Sequence, residues 1–305
     1  MDRRDFIKRA AMSSLLLAGT GFISSSCLKK NNHIQWSMGW ILWRDYKEKK
    51  IPLSKAIEDI AGLGLEGIEF TPRKEELSNN GFTRESFRDL LKEKKLSVAG
   101  NYFGRKFYDP ALKETILSDF RETMENLKFY NSRTVVIGPP GRAEGDINAM
   151  IKGMAPVLNE LGKMAQDNGL QVCLHPHVNT IVETPVEIDL IMELTDPRYV
   201  LMAPDTGHIQ LGGGNVVEIV RKYSDRLGYF HLKDTTGVFN RPSFGPNLRE
   251  LGKGEVDFPG VMKVLKEVNY KGWLNVEQDH TFMTPTESAT ESMKYINTKL
   301  KPIYT

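Results

Sequence analysis

The sequence predicts a closed α/β barrel, eight parallel strands each followed by a helix in a single domain. Eight short β-rich runs alternate with longer segments of helical period. The turn after the first run reads Trp40–Ile41–Leu42–Trp43–Arg44, without the Gly-x-Gly-x-x-Gly that an open dinucleotide-binding sheet needs there. Histidine and acidic residues collect at the ends of the later runs, where a barrel of this kind carries its chemistry.

The barrel is preceded by an address. Residues 1–27 carry Arg3, Arg4, Lys8 and Arg9, then an apolar stretch around Leu15–Leu17, then Ser24–Ser25–Ser26 before Cys27. A basic start, an apolar middle and a small-residue end make an export signal. The paired arginines followed by Phe6 and Lys8 resemble a twin-arginine signal. Export to the periplasm is therefore expected. Lipid attachment at Cys27, and through it to a membrane, is favoured over simple cleavage, although Ser24 stands where lipoprotein sites usually carry an aliphatic residue. Residues 28–33 read as a linker and 34–305 as the barrel domain. The only other cysteine is Cys173, so no disulfide framework is expected in the mature chain. The chain carries a net charge of +2, and the signal accounts for it. A neutral body argues against a groove for the backbone of a nucleic acid.

The strand candidates, in order, are His33–Gly39, Leu65–Phe70, Leu96–Tyr102, Arg133–Gly138, Leu170–His177, Tyr199–Asp205, Leu227–Leu232 and Trp273–Glu277. Between them lie amphipathic helices. Leu53, Ile57 and Ile60 form one apolar stripe, and Val261, Val264, Leu265 and Val268 another. The clearest helix is Asp109–Tyr130, with Leu112, Ile116, Phe120, Met124 and Leu127 on one face, Asp109 as cap and Pro110 in the first turn. Gly64, Gly169 and Gly272 precede strands, as helix C-caps do. Gly212–Gly214 follow the sixth strand and read as a loop. The stretch Val238–Leu251, with Phe239, Arg241, Phe244 and Arg249, is long enough to shape a pocket.

Four of the six histidines fall between residues 175 and 231. His175 and His177 end strand five on one face by period-two alternation, Asp205 closes strand six, His231 lies near the end of strand seven and Glu277 closes strand eight. Consecutive strand ends converge on one side of the barrel mouth, and a mixed nitrogen and oxygen donor set suits a divalent transition metal. Each residue alone has a plainer role: a strand-end histidine bonded within the core, Asp205 capping a turn, Glu277 paired with Lys233. Their recurrence at one level of successive strands points to a site.

The strings HPHVNTIVET (175–184), PDTGHIQLGGGN (204–215), YFHLKD (229–234) and LGKGEVDFPGVMKVLKEVNYKGWLNVEQD (251–279) resemble the xylose-isomerase-like barrel superfamily, and within it the inosose dehydratase and sugar isomerase/epimerase branch. The resemblance runs from Ile34 to Leu300 and is concentrated in the second half. It implies one divalent ion (Mn²⁺, Co²⁺, Zn²⁺ or Mg²⁺) with Asp205, His231 and Glu277 at three ligand positions. The fourth is ordinarily a glutamate ending strand five. Here that place holds His175, with His177 as a substitute, which also breaks the two-glutamate acid/base pair of the epimerases and fits the dehydratases better. The implied reaction is isomerisation or elimination on a keto-sugar or inosose through an enediolate. His177 or His175 would take the α-proton, with Glu277 or Glu183 as alternatives. Lys233 and His208 would hold or protonate hydroxyls, and Glu69 and Trp40 would contact the sugar from the opposite rim.

Three other functions are carried by barrels of this kind. Cleavage of 3-keto-glycosides uses the same enediolate. An endonuclease of the same superfamily would need further histidines on the early strands, and none lies between Ile34 and Leu174. A sugar-binding lipoprotein without turnover would keep the barrel alone.

Overall fold

In a computed structural model, the residues described are 33–46, 51–70, 74–237 and 239–304. The expected export signal with Cys27, most of the expected linker, and Val238 in the long loop lie outside them. Among the described residues no helix is long and apolar enough to cross a membrane.

The strands are β1 (Gln35–Gly39), β2 (Gly67–Glu69), β3 (Ser97–Val98), β4 (Asn101–Gly104), β5 (Thr134–Gly138), β6 (Gln171–Leu174), β7 (Val200–Met202), β8 (Phe230–Leu232), β9 (Asp234–Thr235), β10 (Leu248–Arg249) and β11 (Trp273–Val276). Parallel pairing runs β3-β2-β1-β11-β8 in one arc and β4-β5-β6-β7 in another. The arcs join at two seams to close the barrel. At one, β3 and β4 are successive halves of the third staves' chain, interrupted at Ala99–Gly100, where one continuous run was expected. At the other, single bridges pair Met202 with Leu227 and Asp205 with His231. The antiparallel pair β9–β10 stands apart at the root of the long loop.

Alternation along the strands sorts side chains into two compartments. Val135 and Ile137 of β5 face the helical shell, as do Val172 and Leu174 of β6. Val136 and Cys173 face inwards, where they pack with Ala99, Ala203, Tyr229 and Trp273 as the apolar floor of the barrel. The same parity carries Glu69, His175, Asp205, His231 and Glu277 to the interior above that floor. Register puts two of them on one rung: Asp205 pairs with His231, and the rung continues through Asn275 to Ser37, so Glu277 stands two residues beyond it rather than level as the sequence suggested. The Ser37 hydroxyl donates to Asn275 Oδ1 at 2.9 Å, so this polar rung is internally bonded.

Strand five stops earlier than expected. Pro176 has no N–H to continue the ladder; His175 N still donates to Ile137 O at 3.0 Å, but His177 N turns back to Val182 O. The helix expected at Asp109–Tyr130 is a 3₁₀ turn, Pro110–Leu112, followed by an α-helix over Lys113–Phe129. Asp109 caps the turn through Ala111 N. The tighter turn shifts the phase, so Leu112 leaves the apolar stripe and is exposed, while Ile116, Phe120, Met124 and Leu127 are buried as expected.

Candidate metal centre and active site

Each site residue is held by a strand end or by the turn just beyond it. Asp205 follows β7 and caps the short helix Thr206–Leu211, its Oδ1 accepting from His208 N at 2.8 Å. The expected capping role and a site role therefore coexist, because Oδ2 is left over: it is buried and carries no hydrogen bond. Gly207 permits the helix start to pass this close, since a Cβ there would lie 2.8 Å from Lys233 Cγ. Glu277 follows β11, and its N–H extends the ladder to Leu232 O at 3.0 Å.

These positions bring His175, Asp205, His231 and Glu277 together. One ligand atom from each lies within 4.8 Å of every other. His231 Nδ1 is 2.9 Å from His175 Nδ1, 3.0 Å from Glu277 Oε2 and 3.9 Å from Asp205 Oδ2. The other face of His231 is fixed by Glu69, whose Oε2 lies 2.7 Å from Nε2. Such a carboxylate behind an imidazole is the usual orienting partner of a metal-binding histidine. Glu69 thus sits against His231 as well as on the cavity wall where a sugar contact was expected.

The set fits a divalent ion. Two buried oxygens, Asp205 Oδ2 and Glu277 Oε2, have no well-directed hydrogen bond, and buried polar atoms ordinarily find one. Two imidazoles and two carboxylates are a donor mix for Mn²⁺, Co²⁺ or Zn²⁺ in preference to an all-oxygen ion such as Mg²⁺. Without the ion, burial pushes Asp205 up to about 6, opposed by Lys233 and reinforced by Glu277. Burial disfavours a charged His231, yet Glu277 and Glu69 prevail and raise it to about 9. Burial and the neighbouring His231 hold His175 well below its ordinary value.

A second layer lies alongside. Lys233 is 1% exposed, and its ammonium reaches Asp279 at 2.6 Å, His208 Nε2 at 3.0 Å, Glu277 at 3.2 Å and Asp205 at 3.4 Å. Burial disfavours its charge, but Asp205, Asp279 and Glu277 hold the lysine well above its ordinary value. With Lys233 donating to Nε2, His208 carries its proton on Nδ1, a buried donor without a partner. The His177 ring stacks on His208 with centroids 3.6 Å apart. Its Nδ1 lies 2.5 Å from Val178 O, so that nitrogen donates and Nε2 keeps its lone pair. Burial, then Lys233, lower the pKa of His177 and keep the ring neutral.

A cavity of about 390 Å³ opens onto this assembly, lined by Trp40, Arg44, Glu69, Tyr102, His175, His177, Glu277 and Asp279. Trp40 is on its wall but is also packed edge-on against Phe70. Glu183 is not brought to the site. Its carboxylate is bound by Arg241 and by the Asn179 N–H, away from the cavity, and the role expected of it as base or sugar contact is corrected accordingly. Asp279 and Tyr102 were missed. Asp279 shares the parity of Glu277 two residues earlier, and that repeat was the available signal. Tyr102 ended a predicted strand, but its reach to the edge of the His175 ring depends on Gly138, where a Cβ would lie 1.8 Å from its hydroxyl.

Residues 57–299 match the model of the xylose isomerase-like TIM barrel family. The chain belongs to that family. An inosose dehydratase of Clostridium botulinum (strain Alaska E43 / Type E3) is 31% identical over 279 residues, covering 82% of this chain and 91% of its own. Among solved structures, the probable 3-DHS dehydratase AsbF of Bacillus anthracis has a TM-score of 0.73 at 16% identity, covering 87% of this chain and 99% of AsbF. The IolI protein with a bound zinc atom has a TM-score of 0.72 at 16% identity, over 86% of this chain and 97% of its own. Those two likenesses establish the barrel and its closure.

Proposed function

We propose that this protein is a metal-dependent carbohydrate lyase or isomerase that removes the proton α to the carbonyl of a keto-sugar or inosose. The observation carrying this reading is the placement of one neutral imidazole with a free lone pair, His177 Nε2, on the wall of a cavity that His175 and Glu277 of the four-residue cluster also line. The similarity to inosose dehydratases favours elimination.

A divalent ion held by these four residues would supply Lewis-acid stabilisation of negative charge on the substrate's oxygens. The protein's own groups do the rest. His177 takes the α-proton on Nε2, because Nδ1 is committed to Val178 O and the ring is neutral at pH 7. Lys233 stays cationic throughout and offsets the charge that develops as the enediolate forms. His208, buried behind the His177 ring and off the cavity wall, holds the Lys233 ammonium through Nε2 in place of the hydroxyl contact expected of it. His177 then gives its proton back: to carbon in isomerisation, or to the leaving oxygen in elimination, which releases water and leaves an unsaturated ketone. Metal-loaded protein should exchange the α-protons of an inosose or keto-hexose in deuterium oxide, followed by proton NMR. No exchange across a panel of 2- and 3-keto-sugars would overturn the reading.

A second substrate class is favoured by one observation. A further cavity of about 680 Å³, with Pro52, Asn79 and Asn80 on its wall, shares Trp40, Arg44 and Glu76 with the first. Space there suits a second group on the sugar, as in a 3-keto-glycoside. Loss of the C2 proton would then break the C1–O bond, and the departing alcohol would gain the proton. A kcat/KM higher for keto-glycosides than for the free keto-sugar would support this; the reverse order would exclude it. Export through residues 1–27 and lipidation of Cys27 complete the proposal, and labelling with a radioactive fatty acid in Cys27→Ser and unmodified cells tests the second.

A further inference from the structure

Glu183 is an acid without a catalytic post. It is 3% exposed, and a buried carboxylate needs a partner to offset its lost hydration. That partner comes from the long loop between β9 and β10. Arg241 engages both oxygens of Glu183, with Nη1 to Oε2 at 2.7 Å and a second contact from Nη2 to Oε1. Asn179, whose N–H donates to Glu183 at 2.9 Å, also donates from its side chain to Pro242 O at 2.7 Å. Arg142 lies 3.7 Å from the same carboxylate. Three residues beyond Arg241, the Phe244 ring stands edge-on to His208 at 5.0 Å and to His177 at 5.5 Å between centroids. Lys233 Nζ lies 6.0 Å from the centre of that ring.

We infer that Phe244 is the wall sealing the His177–His208 side of the site, and that Glu183 and Arg241 are positioning residues that seat it. Among its described residues the loop has one 3₁₀ turn at Gly245–Asn247 and a single bridge between Asn240 and Ser243, and no longer element, so its placement depends on such anchors. Phe244 keeps water from His208, from Lys233 and from the edge of the His177 ring turned away from the cavity, which strengthens the charge interactions there and shields a carbanion-like intermediate from solvent protons. It also confines substrate to the Trp40–Tyr102 side, where the cavity lies. The kinetic part of this inference rests on the function proposed above; the accessibility part does not.

The test uses the full-length, metal-loaded protein and Glu183→Gln, Arg241→Gln, Arg241→Lys and Phe244→Ala. Modification of His177 and His208 by diethyl pyrocarbonate, read by peptide mass spectrometry, should quicken about tenfold in Glu183→Gln, Arg241→Gln and Phe244→Ala, as expected when a local closed state is destabilised. Arg241→Lys should restore part of the protection. With an inosose as substrate, the same variants should raise the ratio of deuterium wash-in to product, and KM more than kcat. Unchanged histidine modification, with only a lower melting temperature, would show the ion pair to be structural and overturn the inference. If the unmodified protein turns over no keto-sugar, the proposed function fails, and the modification rates still decide the role of the wall.

Discussion

His177 is the residue on which the proposed chemistry turns, and its test is the sharpest. Its Nδ1 is tied to a backbone carbonyl, so replacement by Asn keeps a donor near Val178 O but removes the Nε2 lone pair. His177→Asn should lower α-proton exchange by about 10²–10⁴-fold, the usual worth of a positioned base, with metal content by mass spectrometry unchanged. A fall in metal content would instead make His177 a ligand, the alternative that spacing alone left open between it and His175. Much of the rest of the site was legible at this scale. His175, Asp205, His231 and Glu277 share an inward parity, and alternation along a strand is a property of sequence. Glu183 was misread because it too lies just past strand five, in a charged, polar stretch. Nothing in sequence says that Arg241, 58 positions away, arrives beside it.

At the scale of elements, caps and ion pairs decide how the loops after strands five and seven are held. Glu187 is the clearest case. It closes the capping box of the helix Pro185–Leu194, with Oε2 accepting from Glu183 N at 3.0 Å and Thr184 N at 2.9 Å, and it pairs with Arg142. Burial opposes its ionisation, but Arg142 and the two amides prevail and lower its pKa from 4.5. Its stabilising contribution is therefore complete above that value and is lost as pH falls through the lowered one. Glu187→Gln should cost about 1–3 kcal/mol at pH 7 in urea unfolding, and the gap should narrow as pH falls from 4.5 through the lowered value. A gap independent of pH would mean that shape, not charge, holds the turn. Helix periods and the Asp109 cap were readable in advance. Strand lengths were not, because they end where Pro176 interrupts a ladder or where the third strand changes neighbours, and both are facts of pairing.

Across the whole molecule, the barrel concentrates ionisable groups above an apolar floor of Val136, Cys173, Ala203, Tyr229 and Trp273. His175, Asp205, His231 and Glu277 draw on four different strand ends, so a bound ion would tie together elements that meet at the weakly bridged seam between β7 and β8. Folding and metal binding should then be linked, because the unfolded chain holds these donors far apart. At free metal about 100 times its dissociation constant, the holoprotein should gain about 2.7 kcal/mol over the chelated form, seen as a rise of several degrees in melting temperature. Asp205→Asn should erase that difference, since it removes the charge of the oxygen that makes no hydrogen bond, while the amide can still accept from His208 N. A melting temperature that ignores chelation in the unmodified protein would mean that Lys233 and the surrounding carboxylates already balance one another, and that the four ligand positions form an internal ion-pair network with no call on a cation.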